Sequence, residues 1–214
     1  MSDVTRPERR RQSTNRLSEM LAVLLLGIAT IGTAWCGYQA SRWNQEQSEV
    51  AREGSDLRVE ANREFGLATQ SVVYDANLVA QYAKAVVDGD TELQEFFRRT
   101  LFRPAFLPVL ERWQQAIADG GTPPNLLEDR DYLDSQLAGY QETQAAAEAK
   151  DVEAEDAGDN GDDYVLNTLL LAAALFFAGV TTSFKMQLAR LMLIAFSAVL
   201  IAYCLSRIAT LPVT

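Results

Sequence analysis

The densest group of side chains that could do chemistry is acidic: Glu153, Glu155, Asp156, Asp159, Asp162 and Asp163 fall within eleven residues. Clustered carboxylates are hard oxygen ligands and focus positive ions, so this run points to a weak divalent-cation site or a cation-concentrating vestibule. Its D-x-x-D-x-x-D-D spacing does not reproduce the calcium-loop pattern, and the plainer reading is a solvated acidic linker. Histidine is absent from all 214 residues, which removes the commonest metal ligand and the commonest general base. Cys36 and Cys204 each sit at the end of an apolar block. A bridge between them would need an oxidising compartment; two buried thiols acting as small hydrophobes is the preferred reading. There is no G-x-S-x-G, no phosphate-cradling glycine loop and no dinucleotide fingerprint. The sequence therefore predicts no catalytic residue, no cofactor and no enzyme.

The elements that would carry these groups are apolar helices. Met20 to Ser41 is 22 residues without a charge, Tyr164 to Phe184 is 21, and Leu191 to Ser206 is 16, flanked by Arg190 and Arg207. A bilayer core of about 30 Å takes roughly 20 helical residues, so all three are expected to span. The first block shares its basic start and apolar core with secretory signals, but no A-x-A site follows it, and Trp35 occupies the position before Cys36 where a lipoprotein signal needs a small residue. An uncleaved span is expected.

The fold class expected is an all-α integral membrane protein, three transmembrane helices with an extracytoplasmic helical-bundle insert between the first two. Its segments are a basic cytoplasmic N-terminus (1–17), the first span (18–41), the acidic insert (42–162), the second span (163–184), a turn (185–190), the third span (191–207) and an outer tail (208–214). Arg6, Arg9, Arg10, Arg11 and Arg16 precede the first span, and Lys185 and Arg190 lie in the turn; the positive-inside rule makes that side cytoplasmic. Residues 42–163 carry 26 acidic against 11 basic side chains, net −15, and are expected outside.

No proline and only Gly54 and Gly66 interrupt residues 42–87, so nothing stops the first helix at the membrane surface. Val50, Gly54, Leu57, Ala61, Phe65, Ala68, Val72, Ala76, Val79, Ala83 and Val86 step by three or four along one helical face, predicting a buried stripe. "DGDTELQ" reads as a turn followed by a Thr91 and Gln94 capping box, and "LQEFFRRTLFRPAFLPVLERW" as a packed aromatic cap. A return leg follows, with "GDNGDD" as the break before the second span and Asp162 or Asp163 as its N-cap.

Trp35, Tyr38, Trp43 and Tyr164 are expected to form an aromatic belt at the outer interface. Small residues stand in rows on the first span, Ala29, Thr33 and Gly37 on one and Gly32, Cys36 and Ala40 on the next, a pattern that lets helices approach closely in lipid. They serve packing within the chain or self-association equally well.

The runs "GTAWCGYQASRWNQEQSEV", "LRVEANR", "FFRRTLFRPAFLPVLERW" and "GDDYVLNTLLLAAALFFAGV" resemble a family of small bacterial membrane proteins of unknown function. The likeness covers about residues 30 to 180 and rests on an A-W-x-G-Y-Q-A-x-R-W run and a D-D-Y-V-L-N-T run in the same order. It implies bacterial origin and a common three-span layout with an outer helical insert, with no activity to carry over; the location expected is the bacterial cytoplasmic (inner) membrane. The function expected is a non-enzymatic, oligomeric interaction or scaffold subunit that uses the outer aromatic cap and the small-residue rows as contact surfaces, and whose partners are the lipid bilayer, copies of itself or another membrane protein, and no nucleic acid. A homo-oligomeric cation-permeable channel with an acidic outer vestibule is the alternative.

Overall fold

A computed structural model describes residues 6–122, 125, 129–184 and 186–214, with the side chains of residues 6–18 and of Thr182 outside that description. The side chains of the five N-terminal arginines and Lys185, on which the predicted orientation leans, therefore lie outside the described residues. Among the described residues the chain is helical and contains no strand. Three of its helices include stretches long and apolar enough to cross a membrane.

Helix α1 runs Arg6–Val87, 82 residues without a break, so the first apolar block does continue into the amphipathic stripe as one element. Gly89, at φ +71°, makes the turn that ends it. Helix α2 (Thr91–Phe96) is capped by Asp90, whose carboxylate accepts from the Leu93 amide at 2.9 Å. That cap is one residue before the predicted Thr91, and Gln94 donates to the Ala85 carbonyl instead of closing a capping box. A wide turn at Phe97–Leu101 and a short 3₁₀ turn at Pro104–Phe106 lead into helix α3, Leu107–Ala118. The break falls at Arg103, which is extended because Pro104 follows it.

Helix α4 runs Arg130–Val180, and this overturns one expectation. "GDNGDD" is not a break, and neither Asp162 nor Asp163 caps a helix; the cap is Asp129, which accepts from the Tyr132 amide at 3.0 Å. The glycines serve close approach instead of chain reversal. A Cβ at Gly158 would overlap the Gln47 amide, and one at Gly161 would lie 3.1 Å from Asn44 Oδ1. A 3₁₀ turn at Thr181–Ser183 then leads to helix α5, Gln187–Ile208, which starts four residues before the predicted third span.

The chain divides into two compact units, residues 1–51 with 151–214, and residues 52–150. The first is a three-helix packing of α1, α4 and α5 around Ala29, Cys36, Ala40, Tyr164, Leu171, Ala174, Ile201 and Cys204. The second has its own core of Leu78, Tyr82, Phe97, Phe102, Phe106, Val109, Leu110 and Tyr132. The aromatic cap predicted from sequence is this core. Tyr82 meets Phe97, Phe102 and Trp113 edge-on, and Phe106 meets Tyr132 the same way, the geometry that ring quadrupoles favour.

Candidate functional site

In the three-helix unit, facing pairs define the register. Gly32 lies against Leu171 and Gly161 against Asn44 between α1 and α4; Ser197 bonds to the Ala174 carbonyl, and Arg207 to Asp163, between α5 and α4. Interpolating between those pairs puts Cys36, Gln39, Asn167 and Cys204 within one helical turn of a common level. All four are fully buried.

This layer is polar inside an apolar bundle. Asn167 donates to the Asp163 carbonyl at 2.8 Å, and Gln39 Oε1 accepts from the Thr214 hydroxyl at 2.9 Å. Gln39 Nε2 and Asn167 Oδ1 have no hydrogen-bond partner among the described residues. Each such group costs about 1–3 kcal/mol, so the layer carries polarity that packing alone does not require.

Just beyond the layer the C-terminal segment folds back over the helix ends. The Pro212 carbonyl accepts from Tyr164 Oη at 3.0 Å and from Trp43 Nε1 at 3.3 Å, and Leu211 packs on the bundle core. Arg207 pairs with Asp163 at 2.6 Å, and at the opposite end Arg190 lies 3.8 Å from Glu19. Residues 208–214, expected as an outer tail, are thus a strap with specific partners.

The predicted site residues are placed as follows. Trp35 and Tyr38 are exposed and adjacent, their rings 6.1 Å apart, as lipid-facing side chains would be. Trp43 is half-buried, but Tyr164 is completely buried and turned onto the strap, so it does not stand in a surface belt. Of the small-residue rows, Ala29, Cys36 and Ala40 are buried in the bundle core, Gly32 lies against Leu171 and Thr33 is half-buried, whereas Gly37 is exposed with open space around it. The row Gly32, Cys36 and Ala40 is spent on contacts within the chain.

The acidic run does not gather into a metal site. Glu153, Glu155, Asp156, Asp159 and Asp162 are exposed and Asp163 is half-buried against Arg207, and no group of three potential ligands among the described residues could hold a metal ion. A continuous helix strings the carboxylates along the exposed side of α4, and Asp163 is taken by Arg207.

In the 52–150 unit the structure reveals a charge network that sequence reasoning missed. Asp75 is fully buried on α1 and takes Arg103 through two guanidinium nitrogens, one of them Nε at 3.2 Å, and the Tyr132 hydroxyl at 2.5 Å. Arg103 also donates to Gln136 Oε1 at 3.0 Å. The hydrogen bond to Asp75 raises the Arg103 pKa, and burial, with the Asp75 carboxylate, pushes the Tyr132 phenol well above its usual range. The network therefore holds a fixed ion pair and a neutral phenol, and it clips α1, the Arg103 bend and α4 together. One signal was present: Asp75 is the only charge between Phe65 and Ala83.

Opposite that core, α1 exposes several apolar side chains among polar ones such as Arg63, Gln70 and Asn77. Val59, Leu67, Val73 and Tyr74 are 67, 54, 55 and 44% exposed, and Gly66 has nothing within 4 Å of where a Cβ would be. Val59, Gly66 and Val73 are seven residues apart and share one row; Leu67 and Tyr74 lie roughly a quarter turn round the helix, beyond Arg63 and Gln70, and Tyr74 donates to the Leu101 carbonyl at 3.2 Å. By contrast, Phe65 packs on Tyr140 at 5.3 Å.

No family model matches the chain, and no curated protein or solved structure matches it either.

Proposed function

We propose that this chain is a membrane-anchored interaction or scaffold subunit that assembles through the uncovered side of α1 in its 52–150 unit. The observation that carries the reading is the exposure of Val59, Leu67 and Val73 beside an open Gly66. An apolar row left in water on a helix that already buries its other side favours a second helix, and a mid-helix glycine costs about 0.5–1 kcal/mol unless close approach uses it. The contact surface proposed here replaces two that sequence suggested, because the aromatic cap and the Gly32, Cys36 and Ala40 row are occupied inside the chain.

The setting we propose is a bacterial cytoplasmic membrane, with the arginine-rich N-terminus inside and the acidic 52–150 unit outside. It rests on the positive-inside rule and on the resemblance to three-span bacterial membrane proteins. Assembly with copies of itself is the simplest form of the proposal.

Cysteine placed at Gly66 in a chain carrying Cys36→Ser and Cys204→Ser should cross-link in native membranes to a second copy or to a discrete partner. Val59→Glu with Val73→Glu should abolish that adduct while leaving helix content unchanged. Absence of any adduct at residues 59, 66 and 73 would sink the proposal, and cation flux from the purified protein in liposomes would favour the channel.

A further inference from the structure

We infer that Cys36 and Cys204 are joined in the mature protein by a disulfide that ties the first membrane-crossing helix to the third. Both are free thiols in the structure, and both are completely buried in one cluster. They come from separate helices, α1 and α5, brought together only by the fold.

The register supports the pairing without reference to the cysteines themselves. Between Gly32 facing Leu171 and Asn44 facing Gly161, Cys36 falls beside Thr168; between Ser197 facing Ala174 and Arg207 facing Asp163, Cys204 falls between Leu166 and Asn167, less than half a helical turn away. The two thiols therefore stand at nearly one height and both point to the bundle interior. A disulfide needs Cα atoms about 4.4–6.8 Å apart, closer than the usual 8–10 Å between helix axes but within reach when facing side chains are small. Ala29 and Ala40, buried with both cysteines in one cluster, keep the side of α1 around Cys36 small.

The chemistry of the level agrees. This is the end of the bundle bearing Trp43, Asp163 and the strap, and under the orientation proposed above, on which the inference rests, it faces the oxidising side of the membrane. One thiolate attacks the disulfide of an oxidising dithiol–disulfide protein, giving a mixed disulfide. The second thiolate then displaces that protein as a thiol. Two S–H bonds are lost and one S–S bond is formed, while the oxidant's disulfide is reduced to a dithiol. Exchange precedes closure of the bundle, since both sulfurs are inaccessible afterwards.

The full chain in native membranes, acid-quenched, dissolved in SDS and treated with a polyethylene-glycol maleimide, tests this. The wild type should gain no adduct until it is reduced and two afterwards, whereas Cys36→Ser and Cys204→Ser should each gain one without reduction. Two adducts on the unreduced wild type, or none on an unreduced single variant, would overturn the pairing. Ser55→Cys in the chain lacking both native cysteines separates the readings. Free native thiols with residue 55 labelled from outside intact cells refute the disulfide alone, and free thiols with residue 55 unlabelled refute the orientation as well. A disulfide with residue 55 unlabelled leaves the pair standing and removes the orientation.

Discussion

Asp75 and Asp129 show how single carboxylates hold the 52–150 unit. Removing Asp75 leaves the Arg103 guanidinium, two-thirds buried, without its counter-ion and frees the Tyr132 hydroxyl. Asp75→Ala should destabilise the unit by about 3 kcal/mol, the lower end for a broken buried pair because Arg103 retains some solvent, read from chemical denaturation of the full chain in detergent. Asp129 is a pH-dependent contact. Burial works against its charge, but the Arg112 guanidinium at 2.6 Å and the Tyr132 amide overcome that and hold its carboxyl below the ordinary carboxylate value. A depressed folded pKa contributes stability that is full above the unfolded value of about 3.9 and lost as pH falls through the folded one. Stability should thus decline below about pH 4, and Asp129→Asn should flatten that part of the profile. A profile unchanged by the substitution would remove Asp129 as its source. Neither role was assigned from sequence: Asp75 showed only as the one charge between Phe65 and Ala83, and its counter-ion lies 28 residues away, a pairing set by folding.

Glycines separate the two kinds of helix contact. At Gly32 a Cβ would come within 3.0 Å of Leu171 Cδ1, whereas at Gly66 it would meet nothing. Gly32→Leu should therefore prevent α1 from seating against α4 and reduce the yield of folded protein in membranes. Gly66→Ala should instead stabilise an isolated chain by about 0.5–1 kcal/mol, the ordinary gain for alanine over glycine in a helix. A loss of assembly with that gain in stability would mean that a partner helix uses the open space. The continuity of α1 was plain from the lack of proline, but its predicted stripe holds only as far as Ala68. Phe65 within it is exposed, and beyond Ala68 the buried positions are Asp75, Leu78, Tyr82 and Ala85, outside the predicted row because the aromatic cap and Arg103 set the buried side there. That "GDNGDD" continues as helix was not plain. Local preference for a break is outweighed there by packing against Gln47 and Asn44, and only the antiparallel partner supplies that packing.

At the scale of the molecule, residues 52–150 own a core distinct from that of the apolar three-helix bundle. Produced alone, that piece should be soluble, helical and cooperative in unfolding, as circular dichroism and thermal melts would show. A piece that stays unfolded would mean its core depends on the apolar helices.

The sequence by itself determined the helical class, the three apolar stretches, the unbroken first helix and the absence of histidine chemistry, since period, length and composition are local properties of the chain. Tertiary structure alone decided that Cys36 and Cys204 share a layer with Gln39 and Asn167, that Tyr164 turns inward onto Pro212, that Asp75 meets Arg103 and that Val59 and Val73 on α1 are left bare. Those facts depend on register and rotation between helices, which arise from residues meeting across many positions of chain and have no periodic trace within any one segment.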